Sequence, residues 1–379
     1  MVAASLRRAL ASGVAYYDGC MTSVSDWPET LFASQPVERY GVYDFLADKT
    51  VLPLAGGGEM DLSADTALAA ELATTSGDWK SLYRLAMSKS LPRSRHEARF
   101  LRWCYKINDE VGEHHGSASL RKIDGRLRDL GLPALVDNVA LEDGGGDGGH
   151  IPDFSRRFKW VVFLDGSLVN AVVARRLVDQ SGLADRVICV RADATELPFK
   201  DGVFDFVHCV GVIEHVADRE ALVLEGIRVV NRDGYLVIGS PNRYPITREP
   251  HFQLPLFGLF PKPLRSRLIY LTRGATTEEG TDPLSLRDLR HTLNEAGARR
   301  ADIFFVPRSL GKTARQTPAR RLIVSVLSSP LGGALDALVN GVLLPVAPSH
   351  LAIVSRNDHL NPAEMSFVDD QPLGEEKLG

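Results

Sequence analysis

From about residue 117 onward, short apolar runs alternate with longer segments in which apolar residues return at helical spacing. The runs are NVALE, WVVFLD, RVICVRAD, FDFVHCV, YLVIGSP, ADIFFV and HLAIVS, each of strand length. Nearly continuous apolar character marks strands buried on both faces, as in a parallel sheet covered by helices. The alternation predicts an α/β, doubly wound, mostly parallel seven-stranded sheet. Right-handed crossovers then bring the strand ends and their loops to one edge, where such sheets bind ligands.

Before residue 117 the texture differs. Turn-rich stretches such as SDWPET and LAGGGEMD mix with helix-like SADTALAAELA and SRHEARFLRWCYKINDEV, where Ala98, Leu101, Trp103, Cys104 and Ile107 recur at roughly helical spacing. This predicts a mostly helical N-terminal accessory region over 1–116. The main domain follows over 117–360, with a flexible acidic tail over 361–379.

Composition narrows the partners. The chain has 379 residues, 44% hydrophobic and 24% charged, enough to bury a sizeable core. Its net charge of -4 does not make a general polyanion-binding surface, so no nucleic acid partner is expected. Cys20, Cys104, Cys189 and Cys209 form no CxxC or Cys/His cluster, so neither a metal site nor a disulfide framework is expected. The first residues include two arginines but no apolar stretch of signal-peptide length. The chain therefore reads as cytoplasmic.

The chemistry begins at ALEDGGGDGGH, residues 140–150, where a strand ends in the pattern Glu142-x-Gly144-x-Gly146-x-Gly148. Alternate glycines let the backbone take positive φ and remove the Cβ atoms that would hold a ligand away. Such turns serve nucleotide cofactors in general. A pyrophosphate, however, needs backbone N–H groups without a nearby anion, and Glu142, Asp143 and Asp147 crowd this turn. It suits an ammonium or sulfonium group better. The next strand ends at Asp165, where a carboxylate can accept both hydroxyls of a ribose, as it would in a nicotinamide enzyme too. A further strand ends at Asp193, followed by Ala194 and a Leu-Pro-Phe turn.

EDGGGDGG, FLDGS, ADATELPF and FDFVHCVGVIEHV, in this order and spacing, resemble the successive motifs of class I S-adenosylmethionine-dependent methyltransferases, the broad group of small-molecule and quinone-type enzymes. The resemblance covers about residues 117–307. It implies a Rossmann-like fold and S-adenosyl-L-methionine as cofactor. Glu142 is then expected near the amino-acid end of the cofactor, with Gly144, Gly146 and Gly148 beneath it and Asp165 on the ribose. Asp193 would accept from the adenine amino group, with the Ala194 N–H facing a ring nitrogen and Cys209 and Val210 lining the floor. Two positions depart from the family pattern. Gly145 replaces another small residue, and Gly166 stands where the family usually has a bulky apolar residue packing on adenine. Leu168 is the nearby candidate to fill that place.

The acceptor side is less defined. His215, in VIEHV, and His251, in the segment after the fifth strand, are the two candidate bases, because imidazole titrates near neutral pH. His208, inside FDFVHCV, reads as a packed core histidine, and PNRY at 241–244 resembles the Asn-Pro-Pro-Tyr element of amino-methylating nucleic-acid enzymes only superficially, since it follows the fifth strand, not the fourth, and lacks the second proline. LAGGGEMD reads as a surface turn, since no series of strand-end acids follows it. An acceptor lid is expected over about 243–275, where six basic residues face one acid. Further basic residues from Arg308 to Arg321 precede an apolar run broken by Pro330, Gly332, Gly333, Asp336 and Pro345. A buried helix with a lid accounts for this pattern, and so does peripheral contact with the inner membrane face. The expected reaction is methyl transfer to a small-molecule or lipid-linked acceptor, with oxygen the favoured atom. A nicotinamide-dependent oxidoreductase and a non-catalytic binding protein of the same fold are the alternatives.

Overall fold

A computed structural model of the chain describes residues 30–90, 115–244, 260–273, 280–298, 300–304, 347 and 349–356. The expected helix over 94–111, most of the lid with His251, the apolar run over 322–346 and the acidic tail lie outside these residues. The described elements begin with short strands β1 (Val37–Arg39), β2 (Val42–Asp44), β3 (Val51–Pro53) and β4 (Glu59–Asp61), then helices α1 (Leu62–Thr74) and α2 (Trp79–Ser90). Next come α3 (His115–Asp129), β5 (Val139–Asp143), α4 (Ile151–Arg157), β6 (Trp160–Asp165), α5 (Leu168–Gln180), β7 (Val187–Arg191) and β8 (Phe204–Val210). The chain continues through α6 (Arg219–Val229), β9 (Val230–Pro241), α7 (Lys262–Arg273), α8 (Leu286–Glu295), β10 (Ala301–Phe304) and β11 (Ser349–Ser355).

All seven apolar runs are strands, in the order β7-β6-β5-β8-β9-β11-β10. The five from β7 to β9 run parallel, while β11 pairs antiparallel with both β9 and β10. Burial explains the continuous apolar pattern. Val139 and Leu141 enter one core with Leu164, Val190 and Val207, under α6 and α8. Ala140 enters the other with Phe163, Cys189 and Phe206, under α1 to α5. The switch of face at each residue is the pleat of a strand buried on both sides.

The sheet nevertheless has nine strands rather than seven, because the β1–β2 hairpin adds to the β7 edge through a parallel pairing of Val42–Asp44 with Cys189–Arg191. An open parallel edge would otherwise expose a row of unpaired backbone groups. Within the region expected to be mostly helical, residues 37–61 thus form four short strands, and α1 and α2 pack on α5 as part of the same layer.

One buried cation ties this N-terminal part to the sheet. Arg191, at the end of β7, is 1% exposed. Its guanidinium contacts Asp65 at 3.1 Å, Asp44 at 3.4 Å, Thr66 Oγ1 at 3.2 Å and the Leu62 carbonyl at 3.4 Å. Its Nε donates to the Gly166 carbonyl at 3.3 Å. Removing one side of a buried ion pair leaves the other charge uncompensated, which costs about 3–5 kcal/mol. Arg191→Leu is therefore expected to lower unfolding free energy by roughly that amount, read as a reduced urea midpoint.

Candidate functional site

The glycine turn after β5 closes against its neighbours through positions that admit only glycine. Gly144 has φ +73, and a Cβ there would run into Val212. A Cβ on Gly145 would run into the Phe163 ring, and on Gly148, at φ +77, would come within 2.9 Å of Ala174. Gly146, at φ +59, differs. Nothing lies within 4 Å of the place its Cβ would take, so the peptide there faces open space. The Gly144 and Gly145 N–H groups both donate to the Leu164 carbonyl, at 2.8 and 3.0 Å, which sets the turn against the end of β6.

Asp165 is the hub of that edge. Its carboxylate accepts from the Gly146 N–H at 2.9 Å, the Ser167 N–H at 2.9 Å and the Asn170 amide at 3.1 Å. Burial nevertheless pushes its carboxyl up to about 6. Asp193 shapes the next turn by accepting from the Thr195 N–H and hydroxyl, at 2.9 and 2.7 Å, and Ala194 beside it is buried. Cys209 is buried at the end of β8, and Val210 beside it is half-buried.

The alternation of β5 sends its two terminal acids to opposite faces. Asp143, which sequence reasoning counted only as part of a charged turn, points toward Cys209, Asp165 and Asp193. It is 2% exposed, and its Oδ1 has no hydrogen-bond partner. Burial, reinforced by Asp165 and Asp193, pushes its carboxyl up to about 7 despite the Cys209 hydrogen bond. Burial first, then Asp143 and Glu214, raise the Cys209 thiol well above its ordinary value. The signal was available: two adjacent acids on one strand must face opposite ways.

Glu142, expected near the amino-acid end of the cofactor, leaves β5 on the face opposite Asp143, with its carboxyl carbon 3.2 Å from the place a Cβ on Gly145 would take. It is 2% exposed and its Oε1 lies 2.7 Å from His150 Nδ1. Burial opposes charge on His150, but Glu142, Asp147 and Asp153 raise its pKa overall. His208, buried opposite Glu142 in the β5–β8 register, is pushed down to about 3 by burial and by His150. Its Nε2 lies 3.0 Å from the Ser119 hydroxyl. Among the described residues, Glu142, His150 and His208 are the group that could hold a metal ion, with ligand atoms within 4.8 Å of one another. His208 packs edge-on against the His150 ring, with centroids 5.6 Å apart, so the His150–Glu142 pair across the glycine turn rests against β8.

Beyond β8, His215 Nδ1 lies 2.7 Å from the Gly280 carbonyl. A carbonyl can only accept, so Nδ1 carries the proton and Nε2 is the basic nitrogen of the neutral ring. The LAGGGEMD turn, expected at the surface, reaches this same place. Gly56 and Gly57 are exposed, but Ala55 is buried, and its N–H donates to the His215 carbonyl at 2.8 Å. Ala55 and Gly56 share a polar cleft of about 350 Å³ with Val216, Arg219, Arg243 and His291.

The raised Asp143 pKa has a stability consequence. Between about pH 4 and pH 7 the folded protein keeps a proton that the unfolded chain has lost, so stability falls as pH rises through that window. Asp143→Asn is expected to flatten the fall and to melt higher than the parent at pH 8, measured as Tm from pH 5 to 8.

Residues 141–238 match the family model described as a methyltransferase domain. The chain is 31% identical over 131 residues to norajmaline N-methyltransferase of Rauvolfia serpentina, covering 33% of this chain and 44% of that protein. It is also 31% identical over 138 residues to 27-O-demethylrifamycin SV methyltransferase of Amycolatopsis mediterranei, covering 34% and 50%. With the ubiquinone/menaquinone biosynthesis C-methyltransferase of Saccharophagus degradans it shares 29% identity over 148 residues, covering 35% and 59%. The chain thus spans about half the length of these curated relatives. The match over residues 141–238 identifies this part of the chain as a methyltransferase domain, within a mostly parallel sheet of the kind that the class I resemblance implied.

Proposed function

We propose that the protein transfers a methyl group from S-adenosylmethionine to a hydroxyl oxygen of a small-molecule or lipid-linked acceptor. The observation that carries the reading is the convergence of Asp143, Asp165 and Asp193 beside the open peptide of Gly146. Asp143 and Asp165 are buried with raised pKa values, which favours a cationic ligand, because a positive charge beside them offsets the cost of ionising them. The same acids repel a pyrophosphate, which argues against a nicotinamide cofactor. S-adenosylmethionine brings a methyl group already activated on a sulfonium. The chain's own tasks are then to hold the donor, to align the acceptor and to take a proton from it.

In this reading Asp165 holds the ribose, Asp193 and Ala194 meet the base, and the bare turn from Gly144 to Gly148 lies along the amino-acid end. Glu142 acts behind the turn by fixing His150. His215 is the proton acceptor, with its tautomer set by Gly280 and the polar cleft beside it for the acceptor's polar part. His251, the other candidate, lies outside the described residues. The relatives named above act on N, O and C positions, so the oxygen assignment rests on the presence of a positioned base. Titration calorimetry is expected to show S-adenosylmethionine and S-adenosylhomocysteine binding, with NADH giving no heat. Asp165→Ala should weaken both by at least about tenfold. His215→Gln should leave product affinity unchanged while lowering turnover about 10²- to 10⁴-fold. Binding of NADH alone would sink the reading.

The lipid-linked part of the proposal rests on α7. Leu264, Arg267 and Leu271 stand on one face at i, i+3 and i+7, and the two leucines are 41% and 58% exposed. An apolar stripe carrying cations suits an anionic lipid surface. No helix among the described residues is long and apolar enough to cross a membrane. The protein is expected to float with liposomes containing phosphatidylglycerol and to lose that association at high salt or on Leu264→Glu/Leu271→Glu substitution. Absence of flotation at low salt would restrict the acceptor to a free small molecule.

A further inference from the structure

Gly166 leaves the tip of β6 bare between Asp165 and the end of β7. A nucleobase whose sugar is held by Asp165 and whose edge reaches Asp193 must cross that tip. The place a side chain at 166 would take is filled from elsewhere: a Cβ on Gly166 would lie 2.8 Å from Leu52 Cδ2. Leu168, the residue expected to fill it, is instead wholly buried in α5. Leu52 is 7% exposed and belongs to a small apolar cluster with Leu46, Leu62 and Met60, separate from both main cores.

Leu52 lies on the β3–β4 hairpin, whose register pairs Val51 with Asp61 and Pro53 with Glu59. The root of the hairpin is fixed on the ribose side of the site. Asp61 caps α1 by accepting from Ser63 and Ala64. From the first turn of α1, Asp65 accepts from the Ser167 hydroxyl at 2.6 Å and the Leu168 N–H at 2.7 Å, and it pairs with Arg191. The turn of the hairpin is fixed on the opposite side. Leu54 bridges Val216, Ala55 donates to His215, and a Cβ on Gly58 would lie 2.8 Å from the Gly280 nitrogen. The hairpin therefore arches from the Asp165–Ser167 turn to His215, along the edge where the strand-end acids stand.

We infer that the β3–β4 hairpin is a wall of the donor pocket and that Leu52 provides the apolar surface for the nucleobase that Gly166 does not. This rests on the donor reading above and assigns a binding role to a segment outside residues 141–238. Placing the surface on a hairpin instead of on residue 166 links donor binding to the fit of the hairpin against the His215 loop. Residues 54–58 are then ordered by the bound donor next to the proton acceptor. The glycines at 56 and 57, at φ +68 and +79, let the chain turn back within that space.

A swap of the two positions tests the inference. Leu52→Ala is expected to weaken S-adenosylhomocysteine binding about tenfold, as a lost apolar contact does. Gly166→Leu alone should also weaken it, because the new side chain competes with Leu52 for one place. The double variant, Leu52→Ala with Gly166→Leu, should bind more tightly than either single variant. A measurement on the parent protein guards against misfolded variants: hydrogen exchange with and without S-adenosylhomocysteine should show protection across residues 51–61. If Leu52→Ala binds like the parent, if Gly166→Leu costs the same in both backgrounds, or if residues 51–61 gain no protection, the inference is overturned. If the parent binds neither S-adenosylmethionine nor S-adenosylhomocysteine, the donor reading itself fails.

Discussion

Two carboxylates, Asp143 and Asp165, are folded out of water at the tips of adjacent strands, and the charges acting on Asp143 are those of Asp165 and Asp193. Hydrogen bonds from the glycine turn, Ser167 and Asn170 satisfy much of Asp165, while Asp143 has the Cys209 thiol and an unpartnered oxygen. Such a site is held in place by the fold at a cost. A buried acid without a cation takes up a proton, and the charge it would otherwise carry remains available to a positive ligand. The glycine turn, the two buried acids and the open peptide at Gly146 are parts of one electrostatic arrangement. The fold maintains it, and the proposed sulfonium donor would complete it.

The opposite face of β5 shows how the turn stays in position. Glu142 and His150 flank it in sequence and pair behind it, against His208 from β8. One acid thus organises the scaffold while its neighbour, one residue along, meets Cys209 and the field of the other strand-end acids. Arg191 has a matching role at the far edge, where it gathers Asp44 and Asp65 around a buried guanidinium. Through that network the N-terminal strands and α1 become part of the wall around the site. A charge buried this deeply adds little net stability, but its geometry fixes how the hairpin approaches β6.

Much of this was legible in the residues. Seven apolar runs became seven strands, because burial on both faces leaves a continuous local pattern that needs no knowledge of partners. Asp165, Asp193, Cys209 and His215 stand at strand ends or in the loops after them, as their spacing indicated. Other features were hidden. The strands β1 and β2 hold three residues each, too few to show a period, and their place in the sheet comes from the open edge of β7.

The seven strands, the glycine turn and the succession of acids follow from local chemistry, and the amino-acid sequence alone carries them. The division of Glu142 and Asp143 between two faces, the partners of Arg191 and the seating of Leu52 on Gly166 were settled only when the chain closed on itself. These contacts join residues more than a hundred positions apart or depend on which face of a strand meets which layer. Side-chain periodicity records whether a residue is buried, and it does not record what the residue is buried against.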